Sequence, residues 1–134
     1  MIQFMLDTNI CIYVIRKKPK RVLARLQQAR ISDVGISSIT LSELEYGVMK
    51  SSKPEQNKIA LAEFLAPIEI LSYDDIAARE DGTLRAYLEN KGILIGSLDM
   101  LIAAHALSVK CTLVTNNMRE FRRVPGLSLD NWTR

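Results

Sequence analysis

Short apolar runs alternate with amphipathic segments along this chain. The apolar runs predict strands at 4–6, 34–37, 68–71 and 112–115, with a final edge strand at 127–129. Apolar residues at helical spacing predict helices at 10–15, 21–30, 41–47, 74–91 and 100–109, a helix opening at 53–55, and a short helical turn from 116. Strands that alternate with helices are typical of βαβ units. The pattern therefore predicts an α/β fold with a mainly parallel sheet of about four to five strands and helices on both faces.

Several polar residues at the segment boundaries predict where helices begin and end. Thr40 and Glu43 have the spacing of a capping box, in which an N-terminal hydroxyl is answered three residues later by a glutamate. Gly92 is a usual C-terminal stop, whereas Gly82 lies inside a helical pattern and weakens it. These signals predict a helix that starts at Thr40 and a longer one that ends before Gly92.

Length and composition indicate one globular unit. The chain has 134 residues, of which 48% are hydrophobic and 25% charged, which excludes a disordered chain or a coiled coil. That length suits a single domain, which we expect to span 1–134. No apolar run approaches the roughly 20 residues of a membrane span, and the first residues lack the basic region of a signal peptide.

Charge, cysteine and histidine content narrow the chemistry. Eighteen basic against fifteen acidic side chains give a net charge of +3, which is compatible with a nucleic-acid partner. The two cysteines lie in separate apolar segments, so we expect neither a disulfide framework nor a zinc site, and a cytoplasmic location. The single histidine, His105, excludes any mechanism that needs two.

Acidic and amide side chains follow the predicted strands. In a parallel sheet the working site lies beyond the carboxyl ends of the strands, so these side chains are expected to converge there. The residues are Asp7 after the first strand, Glu43 shortly after the second, Asn116 and Asn117 after the fourth, Asp99 at the start of the preceding helix, and Glu120 one turn beyond Asn116. Carboxylates without histidine or cysteine suit a hard divalent cation such as Mg²⁺, or Mn²⁺ as a substitute. Such an ion supports phosphodiester hydrolysis.

Each of these residues also has a purely structural interpretation. Asp7 and Asp99 are of a type that caps helices, and Glu43 can simply complete its capping box. Asn116 and Asn117 are common turn residues, and His105 lies in an apolar helix where a buried, hydrogen-bonded histidine is expected. Capping is compatible with metal binding, because a cap residue points its oxygen out of the helix end. Convergence of three acids at one sheet edge favours the metal site.

Four segments together resemble the PIN-domain family. They are MLDTN at 5–9, SITLSELEYG at 38–47, IGSLDMLIAAHA at 95–106 and LVTNNMREF at 113–121. The ending, VPGL at 124–127 with NW at 131–132, is similar to bacterial VapC-type toxins. The resemblance covers nearly the whole chain, and its elements occur in the right order and spacing.

The resemblance implies a magnesium-dependent endoribonuclease that acts as the toxin of a type II toxin–antitoxin pair. The acidic residues of the family carry over as the metal ligands Asp7, Glu43 and Asp99. Many PIN domains have an acid where this chain has Asn117, so either Glu120 supplies the missing charge or the site works with three acids. The remaining polar residues of the motifs are expected to orient ligands or substrate: Thr8, Asn9, Thr115 and Asn116.

The resemblance also implies partners. Family members usually form dimers, and a VapB-type antitoxin inhibits them by covering the site with its C-terminal segment, often with an arginine near the acids. Hetero-oligomers of toxin and antitoxin reach operator DNA only through the antitoxin. Some members of this branch cleave initiator tRNA in the anticodon stem-loop, which makes that RNA a candidate substrate.

Basic residues outside the acidic site are the candidates for holding RNA, since the acids themselves repel phosphates. Two clusters stand out, one at 16–21 with Arg16, Lys17, Lys18, Lys20 and Arg21, the other with Arg119, Arg122 and Arg123. Phosphate contacts would make RNA affinity fall steeply with salt. The alternative is two solvated basic faces.

Two other classes of protein compete with the nuclease. In a phosphoryl-transfer enzyme or phosphate-receiving domain, Asp7 would be a nucleophile, but a haloacid-dehalogenase-like phosphatase usually has a second aspartate where this chain has Asn9. A receiver domain usually has a lysine near its last strands, and the predicted strand at 112–115 has none. A non-catalytic binding module with decayed chemistry is the third class, and the three intact acids argue against it.

Overall fold

The chain, described over residues 1–134 by a computed structural model, folds around a five-stranded sheet. The strands are β1 (Phe4–Leu6), β2 (Val34–Ser37), β3 (Glu69–Leu71), β4 (Thr112–Val114) and β5 (Ser128–Asp130). Their order in the sheet is β3-β2-β1-β4-β5, and every neighbouring pair is parallel. The sheet is thus wholly parallel, which confirms the predicted α/β fold. It has five strands, the larger of the two predicted numbers.

Seven α-helices connect the strands. They are α1 (Thr8–Arg16), α2 (Lys20–Gln28), α3 (Ser38–Lys50), α4 (Pro54–Leu65), α5 (Asp75–Lys91), α6 (Ser97–Val109) and α7 (Met118–Phe121), with a 3₁₀ turn at Ile31–Asp33. Helix α5 runs through Gly82 without a break and ends at Gly92, whose φ of 69° is the left-handed conformation that glycine adopts readily.

Two apolar cores lie on opposite faces of the sheet. Leu6 packs in a cluster with residues of α1 to α4, whereas Met5 packs in a second cluster with residues of α5 and α6. Successive strand residues point to opposite faces, so adjacent apolar residues feed both cores. This burial on both sides explains the continuous apolar strands and confirms the α/β/α arrangement.

The predicted capping box is wrong. Helix α3 begins at Ser38, and the side chain of Ser37, the last residue of β2, accepts a hydrogen bond from the backbone N–H of Ile39 at 3.0 Å. Thr40 therefore lies inside the first turn, where its hydroxyl is buried without a hydrogen-bond partner. Because the strand passes into the helix without a loop, the serine that ends the strand takes the cap position. Glu43 is left free for another contact.

Two smaller boundary predictions also need correction. The cap position of α6 is Gly96, so Asp99 lies in the first turn and does not cap the helix with its side chain. The final strand is Ser128–Asp130, one residue later than predicted, because its register pairs Leu129 with Leu113 of β4.

His105 is the buried core histidine that the sequence predicted. Its ring is 1% exposed, and Nδ1 lies 2.8 Å from the hydroxyl oxygen of Ser37. Burial lowers the pKa of His105, so the ring is neutral at pH 7. The contact links α6 to the start of α3, and these are the helices that carry Asp99 and Glu43.

Both cysteines, Cys11 and Cys111, are free and buried. None of the helices combines the length and the apolar character that a bilayer crossing requires.

Candidate active site

Asp7 and Thr115 meet at the carboxyl edge of the sheet. They directly follow the paired residues Leu6 of β1 and Val114 of β4. The Thr115 hydroxyl donates a hydrogen bond of 2.5 Å to Oδ2 of Asp7, and both residues are buried. The other oxygen, Oδ1, accepts from the backbone N–H of Ile10 at 3.1 Å. Asp7 is therefore both the N-terminal cap of α1 and a buried acid.

Glu43 is brought to the same edge by α3. Its Oε1 accepts a hydrogen bond of 2.7 Å from the hydroxyl of Thr8, the first residue of α1. Because Thr8 is the neighbour of Asp7, this bond fixes the second carboxylate beside the first. Glu43 was predicted to cap its own helix, but its carboxylate instead joins α3 to α1.

Burial raises the pKa of Asp7, and it outweighs the hydrogen bonds from Thr115 and from the backbone of Ile10 and Asn9, which lower it. The negative charge of Glu43 raises it further. A buried carboxylate with an acid beside it gains from a cation that neutralises both.

Asp99 is the most perturbed acid of this group. Its pKa is raised to about 6, mainly by burial and then by the negative charges of Glu120, Asp7 and Glu43, in that order. A pKa depends on neighbouring charges only at short range in a folded protein. The four acids that the sequence placed at the edge of the sheet therefore form one electrostatic cluster.

The turn after β4 is pinned to α1. Thr115, whose hydroxyl binds Asp7, also accepts a hydrogen bond of 2.9 Å from the backbone N–H of Asn117. The side-chain Nδ2 of Asn116 donates to the hydroxyl oxygen of Tyr13 at 3.0 Å. Sequence analysis missed this bond to Tyr13. The available signal was its position on α1, one turn after Asn9, on the helix that Asp7 caps.

The acids lack a basic partner within the chain. All four ion pairs of the structure involve other carboxylates: Asp130, Glu55, Asp75 and Asp81. No group of three or more His, Cys, Asp or Glu side chains is arranged tightly enough to hold an ion as it stands. Mg²⁺ keeps several waters and needs only one or two direct carboxylates, and oxygen is the donor that it prefers. The acids of this site offer only oxygen ligands, and no basic side chain neutralises their charge, so they fit such an ion.

A family model described as the PIN domain matches residues 4–127. The chain belongs to the PIN-domain family. Within it, this chain is 48% identical over 130 residues to ribonuclease VapC2 of Rickettsia felis, covering 96% of this chain and 97% of that protein. It is 46% identical to the tRNA(fMet)-specific endonuclease VapC of Salmonella typhimurium, with 98% and 99% covered.

Solved structures show the same fold. A DNA-bound VapBC structure from Salmonella typhimurium matches with a TM-score of 0.93 and 45% identity, covering 98% of this chain and 99% of that one. VapBC2 from Rickettsia felis, bound to a DNA fragment from the promoter, matches with a TM-score of 0.91, 46% identity and the same coverage. These similarities confirm the resemblance to VapC-type PIN domains. Ribonucleases with a PIN domain generally depend on a divalent metal.

Asn117, which the resemblance assigns to the fourth acidic position, is an amide at the cap position of α7. Glu120 follows in the first turn of that helix and exerts the strongest charge effect on Asp99. A carboxylate on α7 therefore contributes to the raised pKa of Asp99.

Exposed basic side chains that could bind RNA lie outside the acidic site. Arg16, Lys17, Lys18, Lys20 and Arg21 are all exposed where α1 passes into α2. Arg119 and Arg122 of the second cluster are exposed as well, whereas Arg123 is half-buried and donates to the backbone oxygen of Leu94 at 3.0 Å. Arg123 is therefore partly committed to the loop that precedes Asp99.

Proposed function

We propose that this chain is a metal-dependent endoribonuclease that acts as the toxin of a VapBC-like type II toxin–antitoxin pair. It hydrolyses phosphodiester bonds in RNA and thereby inhibits translation. The observation that carries the proposal is the set of acids at the carboxyl edge of the sheet, where Thr115 and Thr8 fix Asp7 and Glu43 and no ion pair within the chain neutralises them. The names of the VapC relatives support RNA as the substrate and initiator tRNA as the first RNA to test.

Asp7, Glu43 and Asp99 hold the divalent ion, which is Mg²⁺ with Mn²⁺ as a substitute, one or two of them directly and the rest through waters that the ion keeps. When bound, such an ion supplies positive charge to the scissile phosphate and makes water a stronger nucleophile. Thr115 keeps the Asp7 carboxylate oriented by its hydrogen bond, and Thr8 does the same for Glu43. Both hydroxyls stabilise the ionised carboxylates that the ion requires.

Glu120 fills the fourth acidic role. Its carboxylate is close enough to raise the pKa of Asp99, whereas the side chain of Asn117 carries no charge. The backbone N–H of Asn117 donates a hydrogen bond to the hydroxyl of Thr115 and so helps to hold the group that orients Asp7. Asn9 faces Asp7 through its backbone, and its exposed side chain is available to the substrate.

Purified protein is expected to cut RNA only when a divalent metal is present. Total RNA incubated with Mg²⁺ should acquire new 5′ ends at a small number of positions, and excess EDTA should remove them. Added Mg²⁺ or Mn²⁺ should restore cleavage, whereas Ca²⁺, which tolerates a looser coordination, serves as the comparison ion. Undiminished cleavage in EDTA would refute the proposal, and detection of an aspartyl-phosphate on Asp7 would favour phosphoryl transfer instead.

The expected protein partner is a VapB-type antitoxin. An open groove of about 430 Å³ lies between α1, α3 and α4, with Ile12, Leu44 and Leu61 among its apolar lining residues. Glu43 also lines this groove. A segment that places apolar side chains in the groove can therefore direct an arginine toward the acids. A guanidinium binds carboxylates with two parallel hydrogen bonds and substitutes for the charge of the ion.

Changing the C-terminal arginines of the cognate antitoxin is expected to weaken inhibition. On this chain, Gly47→Phe should do the same, because Gly47 lines the groove and has open space where a side chain would begin. The matched control is Gly82→Phe on α5, which also faces open space. Binding is measured by titration calorimetry and inhibition by RNA cleavage. Two results together would contradict this docking mode: full inhibition of the unaltered chain by the arginine-free antitoxin, and full inhibition of Gly47→Phe by the unaltered antitoxin.

The same proposal extends to assembly and location. We expect one PIN domain over 1–134, a homodimer, and a hetero-oligomer with the antitoxin, through which alone the complex reaches operator DNA. The VapBC structures on DNA are the support for that assembly. Two free, buried cysteines favour a reducing compartment, the cytoplasm.

A further inference from the structure

Tyr13 joins α1 to the turn that follows β4. Its hydroxyl oxygen accepts the hydrogen bond of 3.0 Å from Nδ2 of Asn116. The preceding residue of that turn, Thr115, holds Asp7 at the start of the same helix. The helix and the turn are therefore linked at two points, one through the acid and one through the tyrosine. The Tyr13 hydroxyl is fixed next to the carboxyl edge of the sheet.

The hydroxyl of Tyr13 still has a proton to donate. It is the acceptor in its contact with Nδ2 of Asn116, while Oδ1 of the same amide is buried without a partner. In this arrangement no hydrogen bond within the chain uses the O–H of Tyr13. The other two hydroxyls beside the acids are already committed, since Thr8 donates to Glu43 and Thr115 donates to Asp7. Tyr13 is only half-buried, so a ligand can reach it. It is thus a fixed, neutral donor beside an acidic cluster.

A neutral donor suits this location. The backbone of RNA is anionic, and the carboxylates repel it wherever the ion does not neutralise them. Lysine or arginine among the acids would form ion pairs with them and compete with the metal. A phenol hydroxyl has no positive charge that would pair with the acids, and it donates a hydrogen bond to a phosphate oxygen.

We propose that Tyr13 is a substrate-binding residue whose hydroxyl donates a hydrogen bond to a phosphate oxygen of the RNA next to the cleaved bond. Asn116 is a positioning residue that holds this hydroxyl in place. This inference rests on the proposed ribonuclease function and names a contact that the acids and the ion do not provide.

Tyr13→Phe tests the contact, because it removes one oxygen and keeps the ring in the core. With initiator tRNA as the probe, kcat/KM is expected to fall about 10- to 100-fold, the usual effect of losing a hydrogen bond to a charged group. In the inactive Asp99→Asn background, the Kd for the same tRNA should rise by a similar factor. Tyr87→Phe on α5 is the matched control and should leave both values unchanged.

Asn116→Ala distinguishes positioning from a general structural role. Alone it should lower kcat/KM by a smaller factor than Tyr13→Phe, and in the Tyr13→Phe background it should add little, since its effect passes through the hydroxyl. All measurements are made well below the Tm of each variant, so that only folded protein is compared. Equal and additive losses from the two changes would overturn the positioning role.

The outcomes separate this inference from the proposed function. If the unaltered protein cleaves RNA with Mg²⁺ and Tyr13→Phe cleaves and binds equally well, the Tyr13 contact is wrong and the ribonuclease stands. If Tyr13→Phe is unaffected but Tyr13→Leu is impaired, the ring stacks on a base instead, which also overturns the hydrogen bond. If the unaltered protein cleaves no RNA with any divalent metal, the proposed function itself fails.

Discussion

Asp99→Asn is expected to lower RNA cleavage by roughly 1000-fold and, at the same time, to stabilise the metal-free protein. The loss corresponds to about 4 kcal/mol in the barrier, which is in the range of an electrostatic contribution from a bound metal. The gain in stability has the opposite cause. The raised pKa of Asp99, about 6, means that its charge is unfavourable in the folded protein. An uncharged amide of the same shape removes both the cost of burying the charge and the repulsion by the other acids.

The sign of the pH dependence follows from the pKa of Asp99. Its pKa is about 6 in the folded protein against an ordinary value of 3.8. The folded state therefore binds the extra proton between these values, so the contribution to stability is fully present below about pH 4 and is lost as the pH rises through 6. After discounting for solvent screening of a half-buried group, we expect Asp99→Asn to gain about 1 kcal/mol at pH 7, or roughly 3–6 °C in Tm.

Thermal unfolding in EDTA at pH 4 and pH 7 measures this gain. The difference in Tm between Asp99→Asn and the unaltered protein should be larger at pH 7. At limiting Mg²⁺, cleavage by the unaltered protein should rise with pH through about 6, as Asp99 ionises. Asp75→Asn, on an exposed acid of α5 paired with Arg79, is the control and should change neither cleavage nor its pH profile. A lower Tm for Asp99→Asn at pH 7 would contradict the electrostatic account.

Asp7→Asn is expected to abolish cleavage with little change in stability. Asp7 caps α1 through Oδ1, and asparagine caps helices about as well as aspartate. The amide therefore keeps the start of the helix but lacks the charge that holds the ion. The amide loses the hydrogen bond from Thr115 to Oδ2, but it also removes a buried charge, and the two effects oppose each other. We expect roughly a 1000-fold loss of cleavage, again about 4 kcal/mol, with a change in unfolding free energy below about 1 kcal/mol.

Asp7→Ala separates the two roles of this side chain. It loses the charge and the cap together, so cleavage should be as low as in Asp7→Asn while stability falls by a further 0.5–2 kcal/mol, roughly. Denaturant unfolding and RNA cleavage are measured on both variants. Full cleavage by Asp7→Asn would show that the site does not depend on this charge.

Much of the candidate site was predictable from the sequence because of where the polar residues interrupt apolar runs. Asp7 follows β1 at once, and Thr115 follows β4, so the parallel order of the sheet brings them to one edge. The partner of Glu43 was not predictable. Its local spacing to Thr40 suggested a capping box, whereas the fold gives it the hydroxyl of Thr8, 35 residues away. Local spacing carries no information about which helix packs alongside.

The amino-acid sequence by itself determined the layers of this protein, because burial on both faces demands continuous apolar strands and the helices between them have apolar stripes at their own period. It also determined which residues carry charge at the ends of those strands. Only the tertiary structure decided that Thr8 holds Glu43 and that Asn116 holds Tyr13. Such pairings depend on how helices pack across a sheet, and packing angles and side-chain rotamers are set by the whole core rather than by any one segment.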